Sequence, residues 1–125
     1  MTDVIWESDP DDHDYPAAIA YLSLLGNQNL VKQIVDRLEA AETTHQKAKD
    51  ILRASRLALL GPDNVHVRAD LAKVKKGKPL SPVLLVRGDL RTGTALQIAD
   101  GYHRVCASFH LDENTDIPCR IVDLE

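Results

Sequence analysis

Between Ala95 and Phe109 the apolar spacing changes from that of a strand to that of a helix, across the turn Ala99-Asp100-Gly101. Leu96 and Ile98 occupy alternate positions and share one face of an extended segment. From Tyr102 onward, Val105, Cys106 and Phe109 follow at i+3, i+4 and i+7, one apolar helical stripe. A strand must therefore run directly into a helix. Asp100 reads as the N-cap, and Gly101 as a position needing a backbone conformation or close approach that a Cβ would obstruct. A helix start leaves several N–H groups unpaired and partially positive. His103 and Arg104 lie in that first turn, where the dipole disfavours a cation unless an anion is bound. The turn thus reads as an anion pocket suited to phosphate. The plainer alternative has Asp100 capping the helix and both cations solvated.

A chain of 125 residues suits one domain able to bury a core. With 4% aromatic residues and 44% hydrophobic residues in all, that core must be mostly Leu, Ile, Val and Ala. The net charge of −4 argues against general nucleic-acid binding, which needs a broadly basic surface. Cys106 and Cys119 both fall in apolar periodic segments and read as buried free thiols. No apolar run reaches membrane-spanning length and the acidic start is unlike a signal peptide, so the expected location is the cytoplasm, without a membrane partner.

Residues 1–15 carry Glu7, Asp9, Asp11, Asp12, His13 and Asp14. They lack the turn glycine and distant Glu of a calcium loop, and Pro10 interrupts them. They read as a flexible acidic tail, with Trp6 docking on the body and no metal. Residues 16–45 read as a helical hairpin. Pro16 opens a helix from Ala17 to Leu25, Gly26 closes it, and Asn27 or Asn29 caps a second helix in which Leu30, Val31, Ile34, Val35, Leu38 and Ala41 recur. The hairpin either covers a sheet or forms a homodimer or protein-partner contact.

Residues 46–125 read as an α+β unit. Ile51-Leu52 and Leu57–Leu60 anchor an amphipathic segment whose cations, Lys47, Lys49, Arg53 and Arg56, are solvated or face the anion pocket. Asp63 or Asn64 caps a helix from Val65 to Val74. The lysines Lys73, Lys75, Lys76 and Lys78 complement its C-terminal dipole or form a small basic patch. Pro79–Pro82 feeds a strongly apolar strand, Val83–Val86. After the Leu96–Ile98 strand and the helix to Leu111, a last strand runs from Ile117 to Val122, and Pro118 within it indicates an edge position or a strand start. The expected architecture is a small mixed β-sheet with packed helices.

Three stretches together resemble the N-terminal domain of ParB and the related sulfiredoxins: Lys78-Pro79-Leu80-Ser81-Pro82-Val83-Leu84-Leu85-Val86, Ala99-Asp100-Gly101-Tyr102-His103-Arg104, and Ile117-Pro118-Cys119-Arg120-Ile121. The resemblance covers roughly residues 46–125. It implies that Gly101, His103 and Arg104 hold nucleotide phosphates and that Asp100 shapes the turn. Tyr102, Ser81 in the Pro-containing loop and His66 on the Asn64–Val74 helix complete the implied ligand-binding set. It also implies a nucleoside di- or triphosphate with magnesium, and phosphoryl transfer or nucleotide hydrolysis if the chain is an enzyme. Two departures limit it. Tyr102 stands where sulfiredoxins place their reactive cysteine, and no helix-turn-helix region follows Val122. A non-enzymatic regulatory or protein-interaction module, or a nucleic-acid-processing protein, are the competing expectations.

Overall fold

Val83–Val86, the most uniformly apolar stretch, is buried at every position, as a strand covered on both faces must be. A computed structural model describes residues 3–124 and places this strand inside a four-stranded mixed sheet. In chain order the elements are α1 (Asp14–Leu22), α2 (Gln28–Ala40), β1 (Thr44–Lys47), α3 (Ala48–Ser55), α4 (Val65–Lys75), β2 (Val83–Val86), β3 (Gln97–Asp100), α5 (Tyr102–Leu111) and β4 (Asp116–Val122). The strand order is β1-β4-β2-β3, with β2 parallel to β4 and the other two pairings antiparallel. The fold is α+β, as expected.

Alternation along β2 divides the core in two. Val83 and Leu85, with Ile98, Ile117 and Cys119, face Ile51, Leu52, Val67 and Val105 of α3, α4 and α5. Leu84, Val86 and Ala99 face the other way, onto Ala18, Leu22, Val31, Ile34, Val35 and Leu38 of α1 and α2. The helical hairpin covers the sheet. Each fully buried Leu, Ile or Val contributes roughly 1.5–3 kcal/mol of transfer free energy. Asn27 accepts a hydrogen bond from the Leu30 N–H, and Asn64 from those of His66 and Val67, so both helices start at side-chain caps. Cys106 and Cys119 are free and buried. No helix among the described residues is long and apolar enough to cross a membrane.

Four features differ from the sequence reading. First, residues 3–13 do not form a free tail. The Leu80 N–H donates to Ile5 O at 2.9 Å, the Glu7 N–H donates to Leu80 O at 2.8 Å, and Trp6 packs on the core between sheet and helices. Backbone pairing and burial of the indole hold the segment down. Second, α1 begins at Asp14 and ends at Leu22, whose carbonyl accepts from both the Leu25 and the Gly26 N–H and closes the helix, leaving Leu24 and Leu25 81% and 60% exposed. Third, β4 lies inside the sheet, so of the edge position and the strand start that Pro118 indicated only the strand start applies. Pro118 is tolerated near the strand's start, opposite His45 and one residue before the ladder to β2 begins at Cys119. Fourth, the outer strand β1 is exposed throughout, and its backbone pairing to β4 leaves no hydropathy pattern in Thr44–Lys47.

Arg120 ties these layers together. From β4 its guanidinium donates to the carbonyls of Leu38 and Glu39, at 3.4 and 2.7 Å, in the last turn of α2. It also donates to the Tyr15 hydroxyl at 3.2 Å and to Asp9 at 2.9 Å.

Candidate functional site

The turn from β3 into α5 has the backbone that its glycine requires. Gly101 has φ 110° and is itself the N-cap of α5, with no side chain capping the first turn. A Cβ at this position would lie 2.8 Å from Val83 Cβ, nearer still to Val83 Cγ1, and 3.0 Å from Arg104 Nη2. Asp100 does not act as the cap. It is the last residue of β3, and its carboxylate turns to Arg104, accepting from Nη2 at 2.9 Å. The first intrahelical bond runs from the Val105 N–H to Gly101 O. The N–H groups ahead of it have no side-chain acceptor and carry the positive end of the helix dipole.

These groups open on a cleft of about 300 Å³ between α4 and α5. His66, Ala69, Asp70 and Lys73 line it from α4, and Asp100, Gly101, His103 and Arg104 from the turn and α5. His66, Asp70 and Lys73 fall at i, i+4 and i+7, one face of α4. The rings of His66 and His103 lie 4.7 Å apart, inclined at 47°. Burial, and then His66, holds the His103 pKa below its ordinary value, so its imidazole is uncharged at neutral pH. Burial raises the pKa of Asp70, against the opposing pull of Arg104 and Lys73.

Arg104 is already engaged by the fold. Nη2 donates to Asp100 at 2.9 Å and to Pro82 O at 3.2 Å, and it lies 3.9 Å from the Asp14 carboxylate. Asp14 is 1% exposed at the start of α1. Its burial in this ion cluster overturns its place in an acidic tail. Burial pushes the Asp100 pKa up to about 6, with Arg104 opposing and Asp14 reinforcing the rise. Arg104 Nε is buried and has no partner among the described residues. The side chains of His66, Asp70, Lys73 and His103 are free of hydrogen bonds and ion pairs among the described residues, so they remain available to a ligand.

Of the residues expected to bind a ligand, Asp100, Gly101, His103, Arg104 and His66 share this cleft. Two do not. The Tyr102 hydroxyl donates to Ala58 O and its ring packs on the core, while Ser81 is 6% exposed and lies outside the cleft lining. The cations before α4 also point elsewhere: Arg56 donates to Gly93 O, Arg53 pairs with Asp50, and Lys47 lies 4.0 Å from Asp116. Asp70 and Lys73 were missed as site residues, although their helical spacing from His66 carries the signal. Asp14 carried none. Comparison with family models, curated proteins and solved structures finds no match to this chain.

Proposed function

We propose that this chain is a cytoplasmic phosphate-binding protein of the ParB/sulfiredoxin type, taking the phosphates of a nucleotide in the cleft at the start of α5. The observation that carries the reading is an α5 first turn without a side-chain cap, facing Lys73 and two imidazoles that the fold leaves unengaged. Backbone N–H groups and the helix dipole favour the anion, Lys73 adds a point charge, and the two imidazoles offer ring N–H donors to phosphate oxygens. A nucleoside di- or triphosphate would bring magnesium with it, which would offset part of the phosphate charge. Should the protein be catalytic, phosphoryl transfer or nucleotide hydrolysis suits such a site, since positioning and charge neutralisation supply most of that catalysis. His66, His103, Asp70 and Asp100 all line the cleft and are of types able to accept a proton.

A thermal-shift screen of inorganic phosphate and nucleotides, with and without magnesium, tests this. A rise in Tm, together with shifts of the His66 and His103 ring signals in NMR spectra, is expected. Absence of both at millimolar ligand overturns it. A protein-interaction role is favoured by one separate observation, the exposure of Leu24 and Leu25 beside one another at the hairpin tip. Light scattering of the wild type and of a Leu24→Ser/Leu25→Ser variant tests whether that tip joins two copies.

A further inference from the structure

Arg104 presents one guanidinium to two carboxylates: Asp100 Oδ2 lies 2.9 Å away and Asp14 Oδ2 3.9 Å away. The side chains of Asp14, Asp100 and Arg104 are 2%, 16% and 16% exposed, so water screens the surplus negative charge poorly. The same guanidinium borders Gly101, where the N–H groups of α5 open on the cleft. We propose that anion binding in this cleft is proton-linked, with Asp14 a positioning residue that acts through Arg104: the anion draws the guanidinium away from the Asp14–Asp100 pair, and the pair takes up one proton from solvent. This rests on the phosphate reading above and specifies how that site is regulated.

An anion beside Gly101 brings negative charge to a carboxylate pair that already exceeds its single cation. The two ways to relieve that repulsion are expulsion of the anion or protonation of a carboxylate. Asp100 in the free protein already has its pKa raised to about 6, first by burial and with Asp14 contributing, so a further rise of about two units on anion binding lets it hold a proton at neutrality. Asp11 N–H donates to Asp14 Oδ2 at 2.9 Å, the same oxygen that faces Arg104.

Other groups face the pair and must be separated from it. From the N-terminal segment, His13 Nε2 lies 3.6 Å from Asp14 and 3.8 Å from Asp11, and Glu7 is close enough to interact with Asp14. Across the cleft stand Asp70, Lys73 and His66 on α4 and His103 on α5. The strand beside Asp100, β2, contributes only apolar side chains. An imidazole gaining charge would also strengthen anion binding in acid, so pH dependence alone does not identify the carboxyls.

Sulfate is the appropriate probe, because unlike phosphate it has no proton that titrates between pH 5 and 8. Its affinity for the wild type is expected to rise up to tenfold per pH unit from pH 8 towards 6, then level off. Titration calorimetry at pH 7 in buffers of different ionisation enthalpy should show close to one proton taken up per sulfate. His103→Gln should keep that uptake. Asp100→Asn should abolish it and bind sulfate at pH 7.5 at least as tightly as the wild type does, and Asp14→Asn should reduce it. In the wild type, carboxyl carbon NMR should show the Asp100 midpoint rising by about two units with saturating sulfate, the shift that near-complete proton uptake at pH 7 requires. This measurement decides the matter if a variant does not fold. Undiminished proton uptake in Asp100→Asn, or an Asp100 midpoint unmoved by bound sulfate, overturns the linkage while leaving the anion site standing. Failure of both sulfate and phosphate to bind at any pH from 5 to 8 overturns the site, and the linkage with it.

Discussion

The imidazole of His66, on α4, lies 4.7 Å from that of His103, in the first turn of α5, and both residues line the cleft between the two helices. Neither the ring pair nor Lys73 beside it holds the fold together through hydrogen bonds, whereas Arg104, on the same cleft, does. Binding and stability should therefore separate by residue.

Lys73→Ala and His103→Gln are expected to change unfolding free energy by no more than about 0.5–1 kcal/mol, the range of surface substitutions. Each should weaken phosphate binding by about 1.5–3 kcal/mol where a charged hydrogen bond is lost. Arg104→Ala should do both, because it leaves the buried Asp14 without its cation, at a cost of about 3–5 kcal/mol. Urea unfolding and titration calorimetry on the same three proteins measure the split. Equal stability of Lys73→Ala and Arg104→Ala would contradict it.

Gly101→Ala should destabilise by two routes. The backbone at φ 110° disfavours a side chain by about 1–2 kcal/mol. The added Cβ also meets Val83, itself fully buried in β2, and such overpacking costs about 1–3 kcal/mol. The expected urea midpoint is lower with an unchanged m-value. A midpoint within error of the wild type would show that the turn can reshape freely.

Arg120 and Asp9 form a salt bridge whose two ends have different worth. Asp9 is 75% exposed at its side chain and Arg120 only 11%. Asp9→Asn should cost about 0–1 kcal/mol, as for an exposed ion pair. Arg120→Met should cost several times more, since the Glu39 carbonyl and the Tyr15 hydroxyl lose the donor that Arg120 gives them. Hydrogen exchange should then accelerate first in α2.

Asp100 also makes a signed prediction about pH and stability. Its carboxyl titrates near 6 in the folded protein and near 3.8 when unfolded. Between those values the folded chain holds a proton that the unfolded chain has released, so this group's contribution falls as pH rises from about 4 to 6 and stays lower above. The stability of the wild type relative to Asp100→Asn should therefore be greater at pH 4.5 than at pH 7 by urea unfolding. The opposite sign would mean that Arg104 outweighs burial at this carboxylate.

Much of the fold was legible because its signals are local. Asn27 and Asn64 announce helix starts through bonds to N–H groups two or three residues away. The apolar run Val83–Val86 needs no partner's identity to be read as a buried strand. Gly101 was legible for the same reason, since a period change with a glycine at the junction is a property of adjacent residues. Thr44–Lys47 was illegible as a strand because its pairing to β4 uses backbone groups and leaves its side chains in water. The interior place of β4 likewise depends on a strand order that Pro118 does not encode.

The cleft divides along the same line. By itself the sequence determined that a helix begins beside Gly101 with His103 and Arg104 in its first turn, because short-range sterics and periodicity decide this. Only the tertiary structure decided what those side chains face. Docking of residues 3–13 and packing of α1 on β3 bring Asp14 beside Arg104, turning a cation that looked free for an anion into the centre of an ion cluster. Packing of α4 against α5 sets His66, Asp70 and Lys73 opposite the helix start. Charge interactions fall off with distance through space, not along the chain, so the ionic character of the site appeared only when distant segments met.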